Sequence, residues 1–352
     1  MKKNKCLTQF PIVFLFFLLI SCNDYKYNNV RSFSLKDIPE KIHLNGDIIE
    51  LDELIMPIRL FIKDSLLFTI NYRQRHFISV FRLQDMKKIG DFISFGNGPN
   101  EALYVKHLQF QDSIVWVFDN NSQKINKYQF NHFLEEKDVV PCEIIKMEDS
   151  FQNIIATKDK LITYNIRYIQ SRFSIYDLQG IFIENKGKLP DAGVDMTDLE
   201  LFESYFCNMA VNPINESIFV AYMNTDLLEI YDSNGNIKTK VHGPDHFFSI
   251  KKQISSGNQF KVQSIEGRTR DAYFNPVALE DEIWTIYDGK YFDRTADRSD
   301  LNNTIIVFDW DGNPIRQYIT DISFFSLAID KKNRFIYGIT LNPEYAIVKF
   351  AY

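Results

Sequence analysis

The chain has 352 residues, and its 40 Lys and Arg against 46 Asp and Glu give a formal net charge of −6. This acidic balance argues against general affinity for nucleic acid, which requires a basic surface. Four cysteines in a chain of this length exclude a fold that depends on a disulfide framework.

The N-terminus has the layout of a secretory signal peptide that ends in a lipidation site. Three lysines precede an apolar run from Phe10 to Ile20, which is too short to span a bilayer as a stable helix. The stretch "LISC" then resembles the bacterial lipobox, and an ordinary signal peptide with a chance cysteine is the alternative. We expect a signal peptide over 1–21 and a palmitate-bearing lipid anchor on Cys22. A linker should follow over 22–39.

The residue after the anchor indicates where the protein is sorted. Asn23 follows Cys22 where retention in the inner membrane would favour an aspartate. We therefore expect a protein of the bacterial cell envelope that is held on the outer membrane by its lipid. The sequence leaves open whether it lies on the periplasmic or the surface leaflet.

The rest of the chain alternates two strand signals that each occur six times. The first is a strand, a short polar turn and a second strand, beginning at Leu60, Leu108, Ile154, Met209, Val277 and Leu327. The second is an alternating strand that ends in an aromatic residue: Phe81, Tyr128, Tyr176, Tyr231, Phe308 and Phe350. A repeat of about 50 residues with about four strands predicts an all-β fold, a six-bladed β-propeller. A β-sandwich or two barrels is the alternative.

The two ends of the repeat region complement each other. The last unit stops at Tyr352 after three strands, whereas Glu40 to Leu51 is a spare β-like segment. We expect this N-terminal segment to supply the fourth strand of the last blade, so that the propeller spans residues 40–352. Closure by a terminal strand stabilises the ring because opening it would break a whole ladder of hydrogen bonds.

Several stretches resemble the TolB-like six-bladed β-propeller lipoproteins. They are "FGNGPNEA" after the first blade, "IWTIYDG" from Ile283, and "VFDWDGNPIRQY" followed by "LAIDKKNRFIYGI". The resemblance implies a propeller architecture and a lipid anchor, but no activity, because most of that family is uncharacterised. The glycines of the first stretch precede a strand pattern rather than a helix, so we expect a connector between blades and not a phosphate-binding loop.

The connections of such a propeller lie on two faces. We call the loop face the one that carries the connections from strand two to strand three and from blade to blade. The turn face carries the turns from strand one to two and from three to four. Binding residues favour loops on a rigid scaffold and the mouths of β-structures. The predicted binding residues on the loop face, around the central channel, are Arg73, Arg75, Asn97, Glu101, Arg167, Tyr168, Arg268, Arg270, Tyr273, Asp288, Tyr291 and Arg294.

The concentration of arginine and tyrosine on the loop face suggests an anionic partner. Arginine binds carboxylate, sulfate or phosphate with a two-pronged fork, and tyrosine offers a stacking surface. We expect an acidic glycan, an acidic peptide or an envelope protein. Arg172 is assigned to the same face. The alternative is a solvated rim in which these arginines pair with neighbouring acids.

Motifs of catalysis or metal binding are absent from the sequence. It contains no G-x-S-x-G, H-E-x-x-H or C-x-x-C pattern, and His242 and His246 lack an evident third ligand. We therefore predict no metal and no cofactor. Cys142 and Cys207 are expected to be separate thiols in the core, and a disulfide between them is the alternative.

The leading interpretation is a non-enzymatic binding module, and the alternative is a propeller hydrolase or lyase with a metal ion in the channel. The alternative rests on acids that could lie near the mouth: Glu101, Asp119, Asp226 and Asp288. His107, near the start of an innermost strand, could look into the channel as a packed or solvated residue.

Overall fold

Six radial sheets surround a central axis in the computed structural model, which describes residues 26–72, 74–135, 139–257, 259–296, 301–341 and 344–352. The predicted six-bladed β-propeller is therefore confirmed. Each repeat unit of the sequence forms one blade, and its strands run from the axis to the rim as an antiparallel meander.

An N-terminal strap, residues 26–49, runs across the outer edges of three blades. β1 (Arg31–Ser32) pairs in parallel with the outer strand of blade four, and β2 (Glu40–Leu44) does the same in blade five. β3 (Gly46–Ile49) is the antiparallel fourth strand of blade six. The predicted closing segment is thus divided, and only its second half closes the ring. Apolar side chains of the strap are buried against the propeller: Tyr27, Phe33 and Ile38.

The first three blades follow in chain order. Blade one consists of β4 (Pro57–Lys63), β5 (Leu66–Asn71), β6 (His76–Arg82) and β7 (Lys88–Phe95), with the short β8 (Glu101–Ala102) paired to β7. Blade two consists of β9 (Val105–Gln111), β10 (Ile114–Asp119), β11 (Lys124–Gln129) and β12 (Glu143–Lys146). Blade three consists of β13 (Asn153–Ala156), β14 (Leu161–Tyr164), β15 (Phe173–Tyr176) and β16 (Phe182–Lys186).

The last three blades include one inserted hairpin. Blade four consists of β17 (Cys207–Val211), β18 (Ile218–Tyr222), β19 (Leu227–Tyr231) and β20 (Ile237–His242). The hairpin of β21 (Lys251–Ser256) and β22 (Gln259–Ser264) precedes blade five. Blade five consists of β23 (Tyr273–Ala278), β24 (Glu282–Tyr287), β25 (Asn302–Asp309) and β26 (Pro314–Phe324). Blade six consists of β27 (Leu327–Asp330), β28 (Phe335–Leu341), β29 (Tyr345–Ala351) and β3.

Helical structure in the described ranges is confined to short elements in connections. Two 3₁₀ turns span Phe130–Phe133 and Ile166–Tyr168, and the helix α1 spans Asp198–Ser204. Thr197 and Glu200 form a capping box at the start of α1, which satisfies two free amides there. Within these ranges no helix combines the length and the apolar character that crossing a bilayer needs.

Turn chemistry explains why the strands reverse where they do. Asp64 and Asp112 occupy two-residue hairpin turns with φ of 53° and 52°, a conformation that aspartate tolerates better than most residues. In the "D-x-x-G" turn of blade four, the Asp232 carboxylate accepts two backbone amides at 2.9 and 2.8 Å. Gly235 completes that turn at a φ of 73°, which costs glycine little. Polar residues therefore set the strand lengths of each blade.

The recurring aromatic residues of the third strands form the core between blades. All of them are at most 3% exposed: Phe81, Tyr128, Tyr176, Tyr231, Phe308 and Phe350. Burial of one such side chain stabilises a fold by about 1.5–3 kcal/mol. The packing of blade against blade therefore depends on the same residues that reveal the repeat in the sequence.

One cysteine lies where the sequence suggests and the other does not. Cys207 is buried, but Cys142 is exposed, and both thiols are free. The prediction of a second core thiol was wrong because Cys142 precedes β12, an outer strand whose residues mostly face solvent. Its Sγ donates to the carbonyl of Lys127 at 3.3 Å.

A buried arginine links blades three and four. Arg172, expected on the loop face, is instead fully buried, which corrects that assignment. Its guanidinium donates to the Tyr222 hydroxyl at 3.1 Å and to the Cys207 Sγ at 3.0 Å, and it lies 4.3 Å from the centre of the Tyr164 ring. The Tyr222 hydroxyl in turn donates to buried Glu229 at 2.6 Å. Arg172 is therefore part of a partnered polar network in the core.

Candidate functional site

The stretch "FGNGPNEAL" is a connector between blades that is held by its own glutamate. Glu101 Oε2 accepts the backbone amide of Gly98 at 2.7 Å. A side chain at Gly96 or Gly98 would collide with this carboxylate, so the glycines make room for it. Asn97 is exposed at the tip of the loop. The carboxylate of Glu101 therefore stabilises the loop in this structure.

Two of the predicted arginines pair with acids of the protein itself. Arg167 forms an ion pair with Asp149 and lies 5.6 Å from the ring of Tyr168. Arg270 forms an ion pair with Asp245, and its Nε donates to a backbone carbonyl at 2.8 Å. These contacts match the alternative of a mixed-charge rim. A fork that already holds a carboxylate has fewer free donors for a ligand.

The other predicted residues fall into separate groups on the loop face. Arg268, Arg270 and Tyr291 come together where the inserted hairpin returns to blade five, because Arg270 and Tyr291 form a β-bridge. Near the connector after blade one, the carbonyl of Arg75 accepts the amide of Phe95 at 2.8 Å. The exposed members of the predicted set are Arg75, Asn97, Arg167, Arg268, Tyr291 and Arg294. Arg73 lies outside the described residues.

Tyr273 and Asp288 have internal contacts. Tyr273 is fully buried, and its hydroxyl donates to the carbonyl of Gly243. Burial raises the pKa of this tyrosine well above its usual value. Asp288 accepts the amide of Lys290 at 3.2 Å. Ligand binding by the loop-face residues stays a prediction.

The acids near the mouth are bound to backbone amides. Asp119 is fully buried and accepts two amides of the preceding connector at 2.8 and 3.0 Å. Asp226, fully buried directly before β19 of blade four, accepts three amides of the following connector at 2.7, 2.7 and 2.9 Å. His242 Nε2 lies 3.0 Å from the carboxylate of Asp226. In the described part of the chain, no group of three or more His, Cys, Asp and Glu is placed to hold a metal.

One carboxyl on the loop face has a perturbed proton affinity. Burial, and then the charge of Asp288, raise the pKa of Asp271 to about 6, although Lys251 acts in the opposite direction. Its Oδ1 accepts the side-chain amide of Asn224 at 3.0 Å. Asp271 was not among the residues predicted from the sequence.

A cavity of about 460 Å³ lies on the axis of the propeller. All six innermost strands line it: β4, β9, β13, β17, β23 and β27. The turns that follow several of these strands also line it, at Asp112, Lys158 and Glu216, so the cavity extends to the turn face. This is the opposite end of the channel from the loops that were predicted to bind a ligand.

The walls of the channel cavity differ between its two sides. Blades one and two contribute the aromatic residues Phe61 and Phe110, whose ring centres are 6.4 Å apart. Each of the other four blades contributes one alanine together with larger aliphatic residues; the alanines are Ala156, Ala210, Ala278 and Ala328. Small residues on innermost strands leave space at the axis. A mostly apolar cavity of this volume is typical of a site for a small organic ligand.

The channel cavity also contains a cation. Arg59 and His107 line it, and the Arg59 guanidinium lies 5.6 Å from the centre of the Phe61 ring. Burial lowers the pKa of Arg59 to about 10, and within the described ranges no acid offsets this effect. Burial and then the charge of Arg59 lower the pKa of His107 to about 3. At neutral pH, Arg59 is therefore charged and His107 is neutral.

Two other polar side chains of the channel cavity, Gln109 and Glu216, are bonded to backbone groups. The side-chain amide of Gln109 donates to the Ala156 carbonyl at 2.6 Å and accepts the Ala156 amide at 2.9 Å. Glu216 accepts the backbone amide of Lys158 at 2.6 Å. Arg59 differs from these residues because, among the residues described, its guanidinium has an aromatic ring as its neighbour and no hydrogen-bond acceptor.

The sequence contained a usable signal for this site. Arg59 is the third residue of the innermost strand "PIRLFIK". Innermost strands surround the channel axis, so a charged residue in such a strand can line the channel. Arg59 was not among the residues predicted from the sequence, because the predicted arginines were all assigned to loops and Arg59 lies in a strand. The expectation that His107 faces the channel is confirmed.

Two solved structures show how this fold compares with known proteins. A member of the DUF4221 family from Bacteroides vulgatus has a TM-score of 0.54 and 10% sequence identity, covering 87% of this chain and 97% of its own. A protein from Bacteroides fragilis whose description proposes export has a TM-score of 0.56 and 9% identity, covering 91% of this chain and 98% of its own. At these identities the likeness shows the fold alone. No match was found among curated proteins.

A comparison with protein families gives a more specific result. The model of the family described as TolB-like 6-blade propeller-like matches residues 36–332. The match takes in the strands of five blades, part of the sixth, and most of the N-terminal strap. The protein therefore belongs to the TolB-like family of six-bladed propellers.

Proposed function

We propose that the protein is a non-enzymatic ligand-binding propeller of the bacterial cell envelope, with the channel cavity as its binding site. The channel cavity carries this proposal because it combines volume, largely apolar walls and a basic group, Arg59, that has no acid partner among the described residues. Apolar lining with a few polar groups is the usual composition of a small-molecule site. Residues from all six blades position it on a rigid scaffold.

The alternative, a hydrolase or lyase with a metal ion in the channel, has less support. Its candidate acids, Asp119 and Asp226, are buried and accept backbone amides with their carboxylate oxygens. A catalytic metal site needs protein ligands that converge on one point and leave a coordination position open. The oxygens of these acids instead hold connectors between blades.

Filling the channel cavity tests the proposal. The variant Ala278→Phe adds a ring inside the cavity, and Ala351→Phe adds the same ring at an exposed position as a matched control. The purified full chain would be incubated with a small-molecule extract of the cell envelope, washed, and denatured for mass spectrometry. We expect a compound that wild type and Ala351→Phe retain and that Ala278→Phe loses. Identical retention by all three proteins would refute a channel site.

The proposal includes a lipid anchor on Cys22. The lipobox-like stretch supports it, as does the fold shared with a protein whose description proposes export. The strap is packed against the propeller from Tyr27 onward. Cys22 is five positions before Tyr27, a stretch that reaches at most about 18 Å when extended. We expect labelled palmitate on the wild-type protein and none on Cys22→Ser, whereas labelled Cys22→Ser would contradict the anchor.

A further inference from the structure

Among the charged residues that line the channel cavity, Arg59 has no acid partner in the described part of the protein. We infer that the cavity binds a small organic anion, a carboxylate on an apolar or aromatic body. The carboxylate would lie on the Arg59 guanidinium and the body against Phe61 and Phe110. This inference rests on the proposed function, because it names the class of ligand for the same cavity.

The described surroundings of Arg59 offer no acid that would offset its charge. A charge removed from water is costly unless an opposite charge or hydrogen-bond acceptors replace the water. The guanidinium is only partly exposed, and its neighbour is the Phe61 ring at 5.6 Å. A bound anion would supply the missing countercharge, and a carboxylate matches the fork of an arginine with two parallel hydrogen bonds.

Neighbouring groups reinforce the positive potential at this depth of the channel. Lys106 Nζ lies 5.6 Å from the ring centre of Tyr104 and 5.9 Å from that of Phe206, so its side chain lies between blades two and four. Burial and then the charge of Arg59 lower the pKa of Lys106. The repulsion between Arg59 and Lys106 would diminish if an anion lay near both. Neutral His107 can donate one N–H to the same anion.

The walls of the channel cavity narrow the class of anion. Phosphate or an acidic glycan would require many hydrogen-bond donors, whereas the amide of Gln109 is already bonded to the backbone of Ala156. The aromatic pair on one side and the alanines on the other suit a flat apolar body. Arg59 next to an aromatic ring thus favours a carboxylate on an apolar body over a multiply charged group.

Pairs of ligands with the same apolar body, one with a carboxylate and one with a neutral amide, can separate the contribution of the charge to binding from that of the apolar body. The probes are phenylacetate, indole-3-acetate and hexanoate, their neutral amides, and inorganic phosphate, titrated into the full chain by calorimetry. A charge-assisted bidentate contact corresponds to about a 10- to 100-fold change in Kd. We expect at least one carboxylate to bind about tenfold or more tightly than its amide. Arg59→Gln should remove that preference, Arg59→Lys should restore part of it, and Arg334→Gln, at an exposed position, should leave it unchanged.

The outcomes distinguish this inference from the proposed function. Equal binding of acids and amides, no binding of any carboxylate, or phosphate binding as tight as the best carboxylate would each overturn the inference. Retention of a neutral envelope compound that Ala278→Phe loses would still support the channel site. Identical retention by Ala278→Phe and wild type would overturn the proposed function and with it the inference.

Discussion

Replacing Arg59 by methionine should make the protein more stable. Below a pH of about 10 the guanidinium is charged, and burial opposes that charge without a described acid to offset it. Methionine keeps a flexible apolar side chain of similar length and removes the charge. A residue whose removal stabilises the fold is typical of a binding site, where function and stability conflict.

The magnitude follows from the shift in the pKa of Arg59. A fall from 12.5 to about 10 corresponds to an upper limit of about 3 kcal/mol, at about 1.4 kcal/mol per pH unit. The guanidinium is partly exposed to the cavity, and solvent there reduces the effect. We expect Arg59→Met to raise the free energy of unfolding by about 1–2 kcal/mol at pH 7. The sign does not change anywhere below pH 10, because the folded state disfavours the proton throughout that range.

Urea denaturation of the variant and two controls would measure this effect. Arg334→Met, at an exposed position, should change the free energy of unfolding by less than about 0.5 kcal/mol. Arg172→Met should lower it by about 3 kcal/mol, because that buried arginine has partners that would lose their bonds. A loss of about 1 kcal/mol or more in Arg59→Met would refute the reasoning, since it would mean that Arg59 has a stabilising partner.

Three further changes test other parts of the structure. His107 is neutral in the folded protein and takes up a proton on unfolding between pH 6.5 and about 3, so the free energy of unfolding of the wild type should fall as pH falls, by up to about 1.4 kcal/mol per pH unit. In urea titrations at several pH values, His107→Asn should show a smaller dependence on pH. Equal pH dependence in the variant and the wild type would count against a buried neutral His107. Asp271 holds its proton more tightly when folded, so stability from this group is present below pH 3.8 and is lost as pH rises through about 6. Asp271→Asn should therefore gain stability over wild type at pH 7 relative to pH 3.5, and a constant difference would exclude the raised pKa. Glu101→Ala should cost about 1 kcal/mol and accelerate hydrogen exchange of the Gly98 amide, whereas unchanged exchange would show that the carboxylate does not hold the loop.

The fold could be predicted because its determinants are local and repeated. Aspartate and glycine turns end several of the strands, and one aromatic residue marks each third strand. The pairing of the strap was predicted less well, because it depends on which blades have an unpaired outer strand edge in the folded protein. Glu40–Leu44 and Gly46–Ile49 are separated by a single residue, yet they pair with different blades. No property of the segment itself distinguishes those two edges.

The site was harder to predict because it depends on which distant residues meet. Arg167 and Asp149 are 18 positions apart, and Arg270 and Asp245 are 25 apart, so neither pair is visible as a motif. An arginine count therefore cannot tell a paired fork from a free one. Arg59, by contrast, has no acid partner among the described residues. This lack of a partner can be recognised only once the six innermost strands are placed around the axis.

The N-terminal strap also sets the order in which the protein can fold. The first strands of the chain pair with β20, β26 and β29, the last of which ends at Ala351. A chain that emerges from the ribosome or from a membrane pore N-terminus first cannot complete these pairings until its final strand is free. Contacts of such large sequence separation slow folding. The ring of blades therefore cannot close before β29 is available to pair with β3.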